Sequence, residues 1–202
     1  HVFERMAGHY LMIYIGASIA YAESMDTVAR DLLDFKPTFV MGVPRFYEKI
    51  QSRVLDTVSK ASPLRKGMFS WAKSLRALKR KAIRGQKPRG ILYDLQYALA
   101  DALVYKKFRA RLGGRVRFGV SGGAPLPKEV AEFFYDLGVL ILEGYGLTET
   151  SPVISANREE KFKFGTVGVP LKEIEVKISP EGEILTRSTC VMSGYFNKPD
   201  ET

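Results

Sequence analysis

The chain has 202 residues and a mass of 22.7 kDa, which is enough for one to one and a half average domains with a sizeable core. Hydrophobic residues make up 46% and charged residues 26%, a balance typical of globular proteins that excludes wholesale disorder. The longest uncharged apolar run, Tyr10 to Ala22, has 13 residues, whereas a membrane span needs about 20. The single cysteine, Cys190, excludes an internal disulfide and a cysteine-cluster metal site, and it favours a reducing, cytoplasmic location.

The positive charge is concentrated in one part of the chain. The formal net charge is +9, but residues 45–117 contain 20 basic and 4 acidic residues, and the remainder is net acidic. Such a basic face suits anionic lipid headgroups, nucleic acid or a polyanionic substrate, and it is equally compatible with a well-solvated helical surface. Because no zinc-finger or RNP-type motif is present, the sequence argues against nucleic acid and leaves peripheral binding to an anionic membrane open.

The first elements predict half of an α/β crossover unit. Residues 1–22 are mostly apolar and are interpreted as a helix or a buried segment. Ser24-Met25-Asp26 offers N-cap chemistry for a helix that continues to Leu33. The apolar, partly β-branched run Thr38–Val43 then predicts a buried strand.

Long helices are predicted for the next 70 residues. Two apolar sets recur at helical spacing, each typical of one core-facing side of an amphipathic helix. The first set is Leu64, Met68, Trp71, Leu75, Leu78 and Ala82, and the second is Leu92, Leu95, Leu99 and Leu103. The segment Gly85–Gly90 predicts a break between the two helices, and Gly113-Gly114 ends the region.

The α/β rhythm returns after Gly114. Val116–Val120 predicts a strand, a glycine-rich turn leads to a helix over Pro127–Leu137, and Val139–Leu142 predicts a second buried strand. This order predicts a parallel βαβ unit, and ligands bind at the carboxyl ends of such strands. Further along, Ile174–Ile178 and Glu183–Thr186 flank a Pro-Glu-Gly turn and predict an antiparallel hairpin.

The predicted fold class is therefore α/β, a parallel-sheet αβα subdomain followed by part of a β-rich subdomain. We place the α/β subdomain at residues 1–152, with a basic helical insertion at about 45–114, and the start of the β-rich subdomain at 153–202.

Two loops follow the predicted strands and carry candidate chemistry. Backbone N–H groups of Ser121-Gly122-Gly123-Ala124 are able to approach a ligand closely, although plain chain reversal also accounts for this turn. The second loop, Gly144–Thr150, combines an aromatic ring, a hydroxyl and a carboxylate, which suit base stacking, a phosphate contact and Mg²⁺. A β-bulge loop in which Thr and Glu cap the next element is the structural alternative.

These motifs in combination resemble the adenylate-forming (AMP-binding) superfamily, which includes acyl-CoA synthetases, luciferases and peptide-synthetase adenylation domains. The second loop follows the first by 23 residues. Further matching segments are Pro37–Ile50, Gly165–Pro170, Gly182–Leu185 and Gly194–Pro199. His1-Val2-Phe3-Glu4-Arg5 and the helical insertion resemble the long-chain fatty acid–CoA ligase branch, with the chain as an internal fragment of the large N-terminal domain.

The resemblance implies roles for residues in both loops. Tyr145 is expected to stack on adenine of ATP or AMP, and the turn Gly122-Gly123-Ala124 to line the adenine and acyl pocket. Glu143 and Gly144 would contact the acyl-adenylate, and Gly146 would lie at the nucleotide and the acyl chain.

The resemblance also implies the groups that act at the phosphate and the acyl chain. Thr148 would contact the α-phosphate, and Glu149 would ligate Mg²⁺. His1 matches a gating histidine at the acyl site, where a solvated terminal histidine is the alternative, and Val43 would border the substrate together with Gly122 and Gly146.

The reaction implied is the activation of a long-chain fatty acid by ATP to acyl-AMP, followed by transfer of the acyl group to CoA. A Pro-Lys-Gly phosphate loop, a Thr-Gly-Asp motif and the small lysine-bearing domain of the family are absent from the sequence, so we expect the fragment to be inactive without the remainder of the enzyme. Three alternatives remain: adenylation of an aryl or amino acid, a non-catalytic basic module that binds membrane or nucleic acid, and a family member that serves as a scaffold.

Overall fold

The computed structural model describes residues 1–82 and 90–202, so the predicted break at 85–90 falls outside the described residues except for Gly90. The α-helices are α1 (Leu11–Tyr14), α2 (Val28–Phe35), α3 (Pro44–Ser59), α4 (Pro63–Ala82), α5 (Ile91–Ala100), α6 (Lys106–Arg111) and α7 (Lys128–Asp136). The strands are β1 (Phe39–Gly42), β2 (Phe118–Ser121), β3 (Leu140–Gly146), β4 (Val153–Ala156), β5 (Val169–Pro170), β6 (Glu175–Ile178) and β7 (Ile184–Arg187). Turns of π-helix occupy Glu4–Tyr10 and Asp101–Tyr105, and turns of 3₁₀-helix occupy Thr148–Thr150 and Pro199–Glu201.

Within the described residues the main sheet has five strands in the order β1-β2-β3-β4-β5. The first three strands are parallel, with Phe39 opposite Phe118 and Phe118 opposite Leu140. The unit β2–α7–β3 is therefore the parallel βαβ unit that the apolar runs predict. The remaining pairs, β3 with β4 and β4 with β5, are antiparallel.

Strand β3 extends beyond its predicted end. It was expected to end at Leu142, but it continues to Gly146, so the first residues of the predicted loop are strand residues that pair with β4. The register shifts between Tyr145 and Gly146, and this bulge bends the strand at the predicted ligand-binding position. A Cβ at Gly146 would lie 1.7 Å from the Pro152 carbonyl oxygen, so the close approach of the two strands requires glycine.

The largest core cluster lies between the sheet and helices α3, α6 and α7. Phe134 of α7 is 1% exposed, and its ring packs edge-to-face on those of Tyr47, Phe108 and Phe133. The Tyr47 hydroxyl lies 3.0 Å from the Val40 carbonyl oxygen of β1 and 2.9 Å from that of Val120 in β2. Tyr47 therefore anchors α3 beneath the first two strands.

The helical insertion (residues 45–114) packs around a buried arginine. Arg76 is 9% exposed, and its Nε donates a hydrogen bond of 2.9 Å to the Tyr135 carbonyl oxygen. Its guanidinium lies over the Tyr97, Tyr105 and Tyr135 rings, which desolvate it while leaving favourable cation–π contacts.

This arginine cluster changes which helix faces are buried. On α5 the buried side carries Tyr93, Tyr97 and Ala100, whereas the predicted core residues Leu92, Leu95 and Leu99 are exposed. On α4 the predicted apolar stripe is buried only around its middle. Leu75 is buried and Trp71 packs beside it, but Leu64 is 74% exposed.

The terminal regions agree with their predictions in outline. Residues 1–22 are helical from Glu4 to Tyr14, but most of their apolar side chains are exposed. Strands β6 and β7 form the predicted antiparallel hairpin. The domain boundary at residue 152 stays a prediction, and the main sheet crosses it through β4 and β5. Across residues 1–82 and 90–202, every helix is too short or too polar to cross a bilayer.

Candidate functional site

The carboxyl ends of β1, β2 and β3 meet at one edge of the sheet. Gly42 lies opposite Ser121, and Ser121 lies opposite Glu143. The N–H of Gly122 donates to the Gly42 carbonyl oxygen at 3.4 Å. The glycine turn and the tyrosine-containing bend therefore leave neighbouring strands side by side, as expected for a ligand site at the end of a parallel sheet.

The glycine turn faces the residues that the sequence assigns to the acyl group. Gly123 has φ of +82°, and a Cβ built there would lie 3.7 Å from the His1 ring and 4.0 Å from the Val43 side chain. A Cβ at Gly122 would lie 2.8 Å from the Phe3 ring. His1, Val43 and the turn thus come together, and glycine keeps the backbone accessible between them. Phe3, which sequence reasoning did not assign to the site, belongs to the same N-terminal motif as His1.

Glu143 connects the two loops. Its side chain is buried, and Oε1 accepts a hydrogen bond of 3.0 Å from the N–H of Leu126 at the end of the glycine-rich turn. Burial raises the pKa of the Glu143 carboxyl, while this hydrogen bond opposes the rise. In this structure the carboxylate holds the turn against β3, and its predicted contact with an acyl-adenylate stays a prediction.

Tyr145 and its flanking glycines form the edge of the site next to β4. Tyr145 lies opposite Ser155, directly before the bulge, and is half-buried. Gly144 has ordinary space around it, since a Cβ there would lie 3.6 Å from the Ser155 carbonyl oxygen. One face of the bend is thus held by backbone pairing, while the tyrosine ring retains exposed surface for stacking on a base.

Thr148 and Glu149 lie on the short 3₁₀ turn that follows the bulge. The Thr150 hydroxyl fixes this turn through hydrogen bonds with the Leu147 backbone at 3.0 Å and the Pro152 carbonyl oxygen at 2.6 Å. Thr148 is exposed and Glu149 is half-exposed. Both side chains therefore project from a rigid turn next to the bend that carries Tyr145.

Tyr195 is a site residue that sequence reasoning missed. Its hydroxyl donates to Glu149 Oε1 at 2.5 Å, and the N–H of Met192 donates to the Glu149 carbonyl oxygen at 2.8 Å. The Tyr195 hydrogen bond lowers the pKa of the Glu149 carboxyl. The signal was present in the sequence, because Tyr195 lies in the Gly194–Pro199 motif, but nothing local indicated which residue it contacts.

The donor set is compatible with one metal-ligating carboxylate. Among the described residues no group of three or more His, Cys, Asp or Glu side chains is arranged to hold a metal ion. Mg²⁺ is commonly held by one or two carboxylates together with water and substrate phosphates. Glu149 fits this pattern because it is ionised and accessible, and its Oε2 is not engaged by Tyr195.

Comparison with known proteins identifies the family. The model of the AMP-binding enzyme family matches residues 1–196, and the chain therefore belongs to this family. It is 34% identical over 204 residues to the putative fatty-acid–CoA ligase FadD11 of Mycobacterium tuberculosis, covering all of this chain and 36% of that protein. It is 33% identical over 218 residues to long chain acyl-CoA synthetase 1 of Arabidopsis thaliana, covering 100% of this chain and 32% of that one.

The fold is shared with solved structures of low sequence identity. Apo MatB from Rhodopseudomonas palustris superposes with a TM-score of 0.60 at 20% identity, covering 100% of this chain and 32% of that one. The chain spans about a third of the length of the curated relatives it matches.

Proposed function

We propose that this chain forms the acyl-adenylate site of a long-chain fatty acid–CoA ligase. The observation that carries the proposal is the convergence of His1, Val43 and the Gly122–Ala124 turn with the Tyr145 bend at the ends of three parallel strands. The identities of 33–34% to fatty-acid–CoA ligase and acyl-CoA synthetase sequences support this substrate class.

In the proposed first step the fatty carboxylate attacks the α-phosphorus of ATP, and pyrophosphate leaves. Tyr145 stacks on the adenine, and the Gly122-Gly123-Ala124 turn, whose two glycines add no side chain of their own, lies along the acyl-adenylate. Thr148 donates a hydrogen bond to the α-phosphate from a turn that needs no reorganisation as charge develops. In the second step the CoA thiolate attacks the acyl carbonyl carbon, and AMP leaves.

Glu149 would hold Mg²⁺, which when bound neutralises phosphate charge during the first step. The Tyr195 hydroxyl, which donates a hydrogen bond to Glu149 Oε1, orients the carboxylate. Because the chain spans about a third of its curated relatives, we further propose that the 202 residues bind the adenylate without turnover. Fatty-acid-dependent release of pyrophosphate by the purified chain would contradict this second statement alone.

The binding test uses a non-hydrolysable palmitoyl-sulfamoyl adenosine and isothermal titration of the 202-residue chain. Removing a stacked aromatic side chain costs about 1–3 kcal/mol per base, so Tyr145→Ala should weaken binding by roughly 5- to 150-fold. Tyr14→Ala is the matched control, since Tyr14 is 88% exposed, and it should bind like the parent chain.

Equal loss in both tyrosine variants, or no binding of the analogue at all, would overturn the proposed site. Preference for aryl or aminoacyl analogues over the palmitoyl compound would redirect the assignment to a ligase for another acid. Binding of anionic surfaces with no adenylate affinity would instead indicate a non-catalytic basic module.

We propose that the protein works in the cytoplasm and binds peripherally to anionic membrane. The 20 basic and 4 acidic residues within 45–117 support this, because juxtaposed lysines and arginines are attracted to anionic lipid headgroups. Co-sedimentation should be greater with phosphatidylserine vesicles than with phosphatidylcholine vesicles and should fall with added salt. Equal sedimentation with both lipids would remove the membrane proposal.

A further inference from the structure

A large cleft lies between helix α2 and the helical insertion. It has a volume of about 1040 Å³ and is bounded by α2, α3, α4 and the segment Leu103–Leu112. Its lining contains none of the candidate site residues described above. We call it the insertion cleft.

The floor of the insertion cleft is apolar and incompletely covered. It is formed by half-buried side chains that pack on the main core from its outer side: Val28, Ile50, Val54, Phe69 and Val104. Such a concave, largely apolar surface is typical of small-molecule sites, whose volumes are about 300–1,000 Å³.

The rim of the cleft is basic. Three of its cations are already engaged: Lys49 and Arg53 with Asp26, and Lys60 with Asp56. Arg65, Lys107 and Arg111 also line the cleft and are exposed, and within residues 1–82 and 90–202 they form no ion pair. The rim therefore offers surplus positive charge next to an apolar floor.

We propose that the insertion cleft binds a long-chain fatty acid anion outside the adenylate site. The hydrocarbon chain lies on the apolar floor, and the carboxylate is held by Arg65, Lys107 and Arg111 at the rim, where charge-assisted hydrogen bonds are strong. This second site would place a fatty acid on the same protein as the proposed adenylate site, and its lining includes none of the residues assigned to that site.

The chain offers a matched pair of double variants for the test. Arg65→Glu with Lys107→Glu reverses two rim charges, and Lys66→Glu with Lys106→Glu makes the same net charge change one residue away on the same helices. Lys66 and Lys106 are exposed and do not line the cleft. General electrostatics and effects on helix stability are therefore matched, and thermal melts by circular dichroism verify that both variants fold.

The probe is cis-parinaric acid at monomeric concentrations, titrated into the chain in the presence of saturating palmitoyl-sulfamoyl adenosine. The rim variant should bind the probe at least tenfold more weakly than the parent chain, whereas the Lys66/Lys106 variant should change affinity less than about twofold. Saturated fatty acids should displace the probe, and their affinity should rise roughly tenfold for each two methylenes added, as expected for a buried hydrocarbon chain.

Three outcomes overturn the proposal. Equal binding by the two double variants would show that the rim does not hold the carboxylate. If the rim variant loses co-sedimentation with anionic vesicles but still binds the probe, the cleft binds a bilayer surface. If the rim variant and the parent chain differ in molecular mass by sedimentation velocity, the cleft is an interface with a second copy of the chain. If the adenosine analogue fails to bind but rim-dependent probe binding persists, the adenylate proposal fails and the insertion cleft stands.

Discussion

The sheet that carries the candidate site and the helical insertion between its first two strands are built in different ways. In the sheet region, every second residue of β2 and three consecutive residues of β3 are buried before the site, and backbone pairing sets the position of each loop. In the insertion, tyrosines gather around Arg76, while the leucines of α5 and most of the basic residues are exposed. The comparison indicates that the sheet fixes the positions of the candidate site residues, whereas the insertion exposes apolar and basic side chains to solvent. Three measurements test this difference.

The largest effect is expected in the core beneath the sheet. Phe134→Ala removes a ring that contacts three other aromatic rings, and it should lower the free energy of unfolding by about 3–5 kcal/mol. Leu95→Ala in the insertion, where the side chain is 67% exposed, should change it by less than about 0.5 kcal/mol. Urea denaturation of both variants measures the difference, and similar losses would contradict the distinction between the two regions.

A smaller loss of stability is expected at the bend of β3. Two glycines there differ in how tightly the backbone around them is packed. Gly146→Ala places a methyl group 1.7 Å from the Pro152 carbonyl oxygen, so the bulge must shift, at a cost of about 3 kcal/mol in unfolding free energy. Gly144→Ala meets its nearest atom at 3.6 Å and should leave stability nearly unchanged. Thermal or urea unfolding compares them. A stable Gly146→Ala variant would show that β4 does not approach as closely as described.

The smallest change in stability is expected where the insertion meets α7, and it depends on pH. Burial raises the pKa of Asp136 to about 6, although Arg80 of α4 lies 3.4 Å away and opposes the rise. Within the described part of the chain Asp136 Oδ1 has no hydrogen-bond partner. Because the folded state holds this proton more tightly than the unfolded chain, stability should fall as the pH rises from about 4 to about 6, by at most about 3 kcal/mol.

The Asp136→Asn variant isolates this contribution. Its unfolding free energy should lose that part of the pH dependence and should exceed that of the parent chain above pH 6. Glu129→Gln, an exposed substitution on the same helix, should follow the parent profile. Parallel pH profiles for all three proteins would mean that the Asp136 carboxyl titrates normally in the folded state.

The sequence predicted those parts of the molecule that depend on local signals. The Ser121–Ala124 turn, the apolar runs of β2 and β3, and the glycine-flanked Tyr145 bend are each visible within a few residues. Because parallel strands align their carboxyl ends, these signals were sufficient to bring the turn and the bend together. The hairpin β6–β7 was predicted for the same reason.

The features that were missed depend on distant partners. The extension of β3 to Gly146 requires β4, whose pairing brings Pro152 close to that glycine. The buried face of α5 was predicted wrongly because the Arg76 guanidinium, 21 residues before Tyr97, contacts the tyrosine side of that helix, which leaves the leucine side exposed. Likewise, the Tyr195–Glu149 hydrogen bond joins residues 46 positions apart, which periodicity and motif spacing do not reveal.

The placement of the insertion between two paired strands also bears on how the site assembles. β2 and β3 are separated by residues 122–139, whereas β1 and β2 are separated by residues 43–117. For flexible segments of these lengths, closing the longer one costs about 1 kcal/mol more in chain entropy. We therefore expect the β2–α7–β3 unit, which carries the glycine turn, to be organised early in folding, before β1 docks. Val43, which directly follows β1, reaches the glycine turn only when β1 has docked on β2, so the insertion governs when these residues first meet.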